Sequence, residues 1–95
     1  MTTADRLADD LRHALGAIHV TVDDESALHR GHAGAEEGGH YAVVVVTSRF
    51  EGLDLLARHR AVYAALGDLA ARGVHALALD TYTPDEWRQT GGSTH

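Results

Sequence analysis

The stretch Gly73-Val74-His75-Ala76-Leu77-Ala78-Leu79 decides how the rest of the chain is arranged. Read as a strand over Val74–Thr81, it places His75, Leu77 and Leu79 on one face and Val74, Ala76 and Ala78 on the other. A strand apolar on both faces is expected inside a small sheet rather than at its rim. His75 has two readings. It is either a hydrogen-bonded core imidazole or one of several histidines gathered at the same end of the sheet.

The segment before this strand predicts a long helix over Leu53–Arg72, ended by Gly73. Leu55, Leu56, His59, Val62, Tyr63, Leu66, Leu69 and Ala70 recur at helical spacing, with Asp54, Arg58, Arg60, Asp68 and Arg72 off the stripe. His59 falls within the stripe and reads as a packed, hydrogen-bonded structural residue. After the strand, Thr83 is placed as an N-cap, with Pro84 at the first helical position and Glu86 completing a capping box. Tyr82 and Trp87 are spaced for a hydrophobic staple across that cap. A short helix to about Gln89 follows, and residues 91–95 read as a flexible tail after a domain over 1–90.

Further upstream, Tyr41–Thr47 is almost entirely β-branched and apolar, which predicts the central strand. Ser48–Gly52 turns the chain, with Phe50 as an anchor over the core. His29–Gly39 is a glycine-rich loop of the length that is usually functional or disordered. Ile18–Asp23 alternates, sending Ile18, Val20 and Val22 to the core and leaving His19 and Thr21 in solvent. Thr2–Leu15 is an amphipathic helix with Leu7, Leu11, Ala14 and Leu15 inward, capped by Thr2 or Thr3 and stopped by Gly16.

The order is therefore α-β-β-α-β-α, an α+β single domain with a three-stranded mixed sheet and helices packed on it. A loop between strands one and two allows an antiparallel pair, and the crossover helix between strands two and three favours a parallel one. Parallel neighbours start at the same end, about 4.8 Å apart. His40 and His75 then lie close together, and the loop carrying His29 and His32 leaves from that end. Asp23, Asp24 and Glu25 are close by.

Composition limits the chemistry. The chain has 95 residues, no cysteine, eight histidines and a formal net charge of −6. It makes no disulfide and no thiolate metal site of its own, and its charge opposes broad adhesion to phosphate backbones. The longest apolar run, Tyr41–Val46, is too short to span a bilayer, and no secretory signal is expected from Met1–Asp5. A cytoplasmic protein is expected. No nucleophile–base pair or phosphate loop points to an enzyme. Neutral imidazole binds zinc, copper, nickel and iron, but no His-x-x-x-His spacing marks an autonomous zinc site. An iron–sulfur cluster would need thiolates from another molecule.

Laid end to end, the motifs resemble the BolA family over about Leu7–Trp87. They are Val22-Asp23-Asp24-Glu25-Ser26 followed by His29, then Gly39-His40-Tyr41 and Ser48-Arg49-Phe50-Glu51-Gly52. Arg58-His59-Arg60-Ala61-Val62-Tyr63, Val74-His75-Ala76-Leu77-Ala78-Leu79 and Thr83-Pro84-Asp85-Glu86-Trp87 complete the set. The resemblance implies a class II KH-like fold that lacks the nucleic-acid loop of true KH domains. It also implies a heterodimer with a monothiol, CGFS-type glutaredoxin, sharing a bridging 2Fe-2S cluster with that protein and its glutathione. The chain alone would then hold no cluster and be a monomer. His75 matches the family's C-terminal ligand and His29 its loop ligand, spaced as Glu-Ser-x-x-His. His40 matches another recurrent histidine and stands in reserve, while the role of His32 is open. The expected setting is iron–sulfur cluster trafficking or iron homeostasis. The competing reading is a DNA-binding transcription regulator of morphology and stress genes, with Arg49, Arg58 and Arg60 as the nucleic-acid contacts. Against it stand the acidic charge, the absence of an aromatic stacking platform and ordinary i, i+4 pairing such as Asp54–Arg58.

Overall fold

A computed structural model of the chain describes residues 2–26 and 39–92. Helix α1 (Thr3–Leu15) opens on Thr2, one of the two expected caps, in a capping box that the sequence reading did not anticipate. The Thr2 hydroxyl accepts from the Asp5 N–H at 3.1 Å, and the Asp5 carboxylate accepts from the Thr2 N–H at 3.2 Å. These bonds hold the Asp5 carboxyl below its usual range. Gly16, with φ 58°, ends the helix in the left-handed conformation that glycine adopts without steric cost. Leu7, Ala8, Leu11 and Leu15 are buried. Ala14 was expected inward and is exposed, because Ala8 rather than Ala14 completes the stripe.

Strands β1 (His19–Asp24), β2 (Gly39–Val46) and β3 (Val74–Tyr82) form one sheet in that order. β1 runs antiparallel to β2, with His19 opposite Val46 and Asp24 opposite Tyr41, and β3 runs parallel to β2. β2 is central, as its composition predicted. β3 is not interior but an edge strand, so its two-sided apolar character has another cause. Gly39 pairs with Val74 and His40 with Ala76, leaving His75 as an extra residue in a bulge. The bulge shifts the alternation by one residue. Val74 therefore joins Leu77 and Leu79 on the core side, and His75, expected beside those leucines, is exposed. Ala76 and Ala78 face out.

α1 packs on β1 and on α2 (Leu55–Leu66), which reaches β3. Between helices and sheet lie Leu7, Leu11, Tyr41, Val43, Val45, Phe50, Val62 and Leu66. Phe50, in a 3₁₀ turn over Ser48–Phe50, is fully buried as anticipated. The short α3 (Pro84–Gln89) has the predicted Thr83 cap, Pro84 start and Glu86 capping box. The Trp87 ring lies 5.2 Å from Tyr82 and 4.9 Å from His19, the two register partners of Val46. Trp87 thus bridges the strands across buried Val46, and His19 stacks on it rather than standing free in solvent. Gly91 and Gly92 donate to the carbonyls of Arg88 and Trp87. A Cβ on Gly92 would run into the Trp87 ring.

Two helix expectations are corrected. α2 stops at Leu66, not Arg72, because Gly67 takes φ 73° and the Asp68 carboxylate accepts from the Ala71 N–H in a separate turn. Its stripe was also read too wide. Val62 and Leu66 are buried, whereas Leu55 and Leu56 are 64% and 58% exposed. Ile18 is likewise exposed, since it precedes the first residue of the ladder. Among the described residues no helix is long and apolar enough to cross a membrane.

Candidate metal-binding edge

The starts of β2 and β3 carry the site. His40 is placed by its backbone. Its N–H donates to the Ser26 hydroxyl at 3.1 Å, and its carbonyl accepts from the Glu25 N–H at 2.7 Å. Ser26 is itself held by Asp24, whose carboxylate accepts the Ser26 N–H at 2.9 Å in an Asx turn. The Ser26 hydroxyl and N–H together hold the Asp24 carboxyl below its usual range. Just before His40, the Gly39 N–H donates to the Gly73 carbonyl at 2.9 Å. A side chain at Gly39 would run into the buried Tyr41 ring of the same strand, so that ring would have to shift.

These constraints bring His40 and His75 together, with ring centroids 5.2 Å apart and planes inclined by 50°. An open cleft of ≈ 320 Å³ adjoins them, lined by Glu25, His40, Tyr41, Ala76, Leu77 and Ala78. The half-buried His40 and the exposed His75 present two imidazoles at one rim of the sheet. His29 and His32 lie outside the described residues. Among the described residues no three His, Asp or Glu side chains converge tightly enough to hold a metal ion. The described part of this edge therefore brings two imidazoles side by side.

The arginines are placed differently. Arg58 forms a fork with Glu86 at 2.6 and 3.1 Å, and its Nε donates to the Leu53 carbonyl at 3.0 Å. Its Nη1 also reaches the Thr81 carbonyl at 3.4 Å, and the guanidinium lies over Phe50. The expected Asp54–Arg58 pair does not form, because the Asp54 carboxylate caps α2 by accepting from the Ala57 N–H at 2.8 Å. Arg49 donates to the Ala14 carbonyl at 2.6 Å, closing the end of α1. Arg60 is exposed, with no polar side-chain partner among the described residues. His59 is packed as expected, but its Nε2 is buried without a hydrogen-bond partner among those residues.

Sequence reasoning overlooked the Asp24–Ser26 clamp, although Asp-x-Ser is a readable Asx-turn signal. It also overlooked the bulge at His75, which has no local signature.

A family model described as BolA-like protein matches residues 11–86. The chain is 42% identical over 87 residues to the DNA-binding transcriptional regulator BolA of Escherichia coli K12, covering 92% of this chain and 81% of that protein. It is 44% identical over 79 residues to BolA-like protein 1 of Mus musculus, covering 83% of this chain but only 56% of the mouse protein. Its fold matches the solution structure of mouse BolA1 with a TM-score of 0.78 at 38% identity, covering 96% of this chain and 72% of that one. The BolA domain of SufE1 from Arabidopsis thaliana matches with a TM-score of 0.77 at 34% identity, covering 90% of this chain and 96% of that domain. Element order and mixed sheet match these structures, and the chain belongs to the BolA-like family.

Proposed function

We propose that this chain is the BolA-type partner of a monothiol, CGFS-type glutaredoxin and shares a bridging 2Fe-2S cluster with it in iron–sulfur trafficking or iron homeostasis. The observation that carries the reading is the juxtaposition of the His40 and His75 rings, 5.2 Å apart at one edge of the sheet. The donor set fits a shared cluster. Imidazoles can replace some cluster thiolates, and a chain without cysteine must obtain the others from its partner. His75, exposed on a bulge, is the donor a partner can reach; the second is His29, with His40 in reserve. The cluster is cargo held between two proteins, and the chain's part is to present imidazole nitrogens on a rigid strand edge.

The test is anaerobic reconstitution with and without a CGFS glutaredoxin, followed by optical spectra, iron analysis and size determination. A coloured heterodimer is expected only when both proteins are present. A cluster equally stable on the isolated chain overturns the reading.

A second reading, a DNA-binding regulator, is supported by the name of the Escherichia coli relative. Arg49 and Arg58 are engaged within the fold, which leaves Arg60 as the available contact of the three. Weak, strongly salt-dependent DNA binding is expected. Site-specific affinity near ~10⁻⁸ M at physiological salt would reverse the ranking.

A further inference from the structure

β3 lies at the rim of the sheet, and two contacts reveal which of its backbone groups point outward. The Tyr82 carbonyl accepts from the Thr47 N–H at 3.1 Å, so the main chain of Tyr82 faces β2. One residue earlier, the Thr81 carbonyl accepts from the Arg58 guanidinium and faces away from β2. Alternation turns the N–H and C=O of Leu79 and Leu77 away as well. Among the described residues nothing takes these groups.

Natural edges are blunted by lysine, proline, bulges or a covering segment. Here the bulge is confined to His75, and Arg58 covers the far end at Thr81. Between these stops runs Ala76-Leu77-Ala78-Leu79-Asp80, with no proline and a single charge. Ala76 and Ala78 are exposed, so no bulky side chain screens the edge from the outer face.

We propose that this edge is a self-association surface, on which β3 of a second copy pairs antiparallel about a two-fold axis at Ala78. Leu77 of each copy then stands opposite Leu79 of the other, and each residue donates and accepts once, giving roughly four bonds. The stretch is self-complementary in side chains too. Ala78 meets Ala78 at the axis, Asp80 meets Ala76, and the two Asp80 carboxylates stay apart. That complementarity favours a second copy over an unrelated strand. A ladder this short makes a weak, reversible contact, so the chain stays monomeric at micromolar concentration and pairs toward millimolar. The inference is independent of the glutaredoxin reading, because it concerns the strand beyond His75 and needs no metal.

The test combines sedimentation from ~10 μM to ~1 mM with amide exchange followed by NMR, on the full chain. Exchange at Leu77 and Leu79 should slow at least ~10-fold at the upper concentration, with Ala76 and Ala78 unchanged. Ala78→Asp and Ala78→Lys place like charges face to face at the axis, and each should weaken pairing at least ~10-fold. An equimolar mixture of the two variants sets opposite charges together and should restore pairing. A chain monomeric at ~1 mM, unchanged exchange at Leu77 and Leu79, or a dimer indifferent to Ala78→Asp would each overturn the proposal.

Discussion

Replacing His75 with alanine separates a ligand from a structural histidine, because the structure sets opposite expectations for its neighbours. The His75 side chain is exposed on the bulge, and no non-glycine residue described has a positive φ, so alanine introduces no backbone strain. Surface changes of this kind cost within about 0.5 kcal/mol. Loss of the ring contact with His40 adds about 0.5 kcal/mol, the low end for aromatic pairs. The expected destabilisation is at most ~1 kcal/mol, or a fall in Tm of ~4–8 °C for a domain of this size. Val74→Ala is the control. Val74 is 5% exposed, and removing two buried carbons plus leaving a cavity costs about 1.5–3 kcal/mol. Thermal melts of the isolated chain should therefore rank wild type, His75→Ala and Val74→Ala in that order. Decay of visible absorbance in the glutaredoxin complex, challenged with an iron chelator, should rank them differently, with His75→Ala losing cluster fastest. Equal cluster retention in wild type and His75→Ala would refute the ligand assignment. A Tm loss matching that of Val74→Ala would make His75 a structural residue.

Two other expectations rest on the fold itself. Thr47→Val keeps the shape of a fully buried side chain but removes the hydroxyl that donates to the Leu15 carbonyl at 2.7 Å; a loss of about 1–3 kcal/mol is expected in denaturant melts, and a change below ~0.5 kcal/mol would contradict it. Glu86 is held at about 2, chiefly by the Arg58 fork, below the ordinary carboxylate value of 4.5. A depressed carboxylate contributes stability above its unfolded pKa and loses it as pH falls, here between about 4.5 and about 2. Glu86→Gln should flatten that part of the acid limb in melts at fixed salt, and an unchanged limb would deny the pair any role there.

The outline of the fold was legible because local signals and burial agreed. Thr83-Pro84-Asp85-Glu86 and Gly16 mark helix ends through capping chemistry that depends only on neighbours. Tyr41–Val46 reads as central because its β-branched residues need cover on both faces. The errors have two causes: local signals passed over, as at Gly67 and Asp24–Ser26, and partners or cover distant in sequence. Leu55, Leu56 and Ile18 have core-like side chains but lie where cover runs out. Arg58 chose Glu86, 28 residues away, over Asp54, one helical turn away, because the Asp54 carboxylate already serves the α2 cap. The β3 edge misled for a similar reason. Small alanines on its outer face look like buried positions in sequence, yet they tolerate solvent at little cost.

The site depended on a single step of parity. Without the bulge, His75 would share a face with Leu77 and Leu79 and would sit inside the apolar core as a packed imidazole. The pairing of Gly39 with Val74, followed by His40 with Ala76, inserts one residue and turns the ring outward. The same insertion brings Val74 inward, so a valine fills the core position the histidine would have held. His40 reaches the same rim by a different route, fixed through its backbone by Ser26 and Glu25 and half-buried beside the cleft. The backbone of one histidine is thus held firmly, and the ring of the other is presented to solvent. His75, which the fold moves out of its core beside a histidine whose backbone is fixed, contributes little to packing.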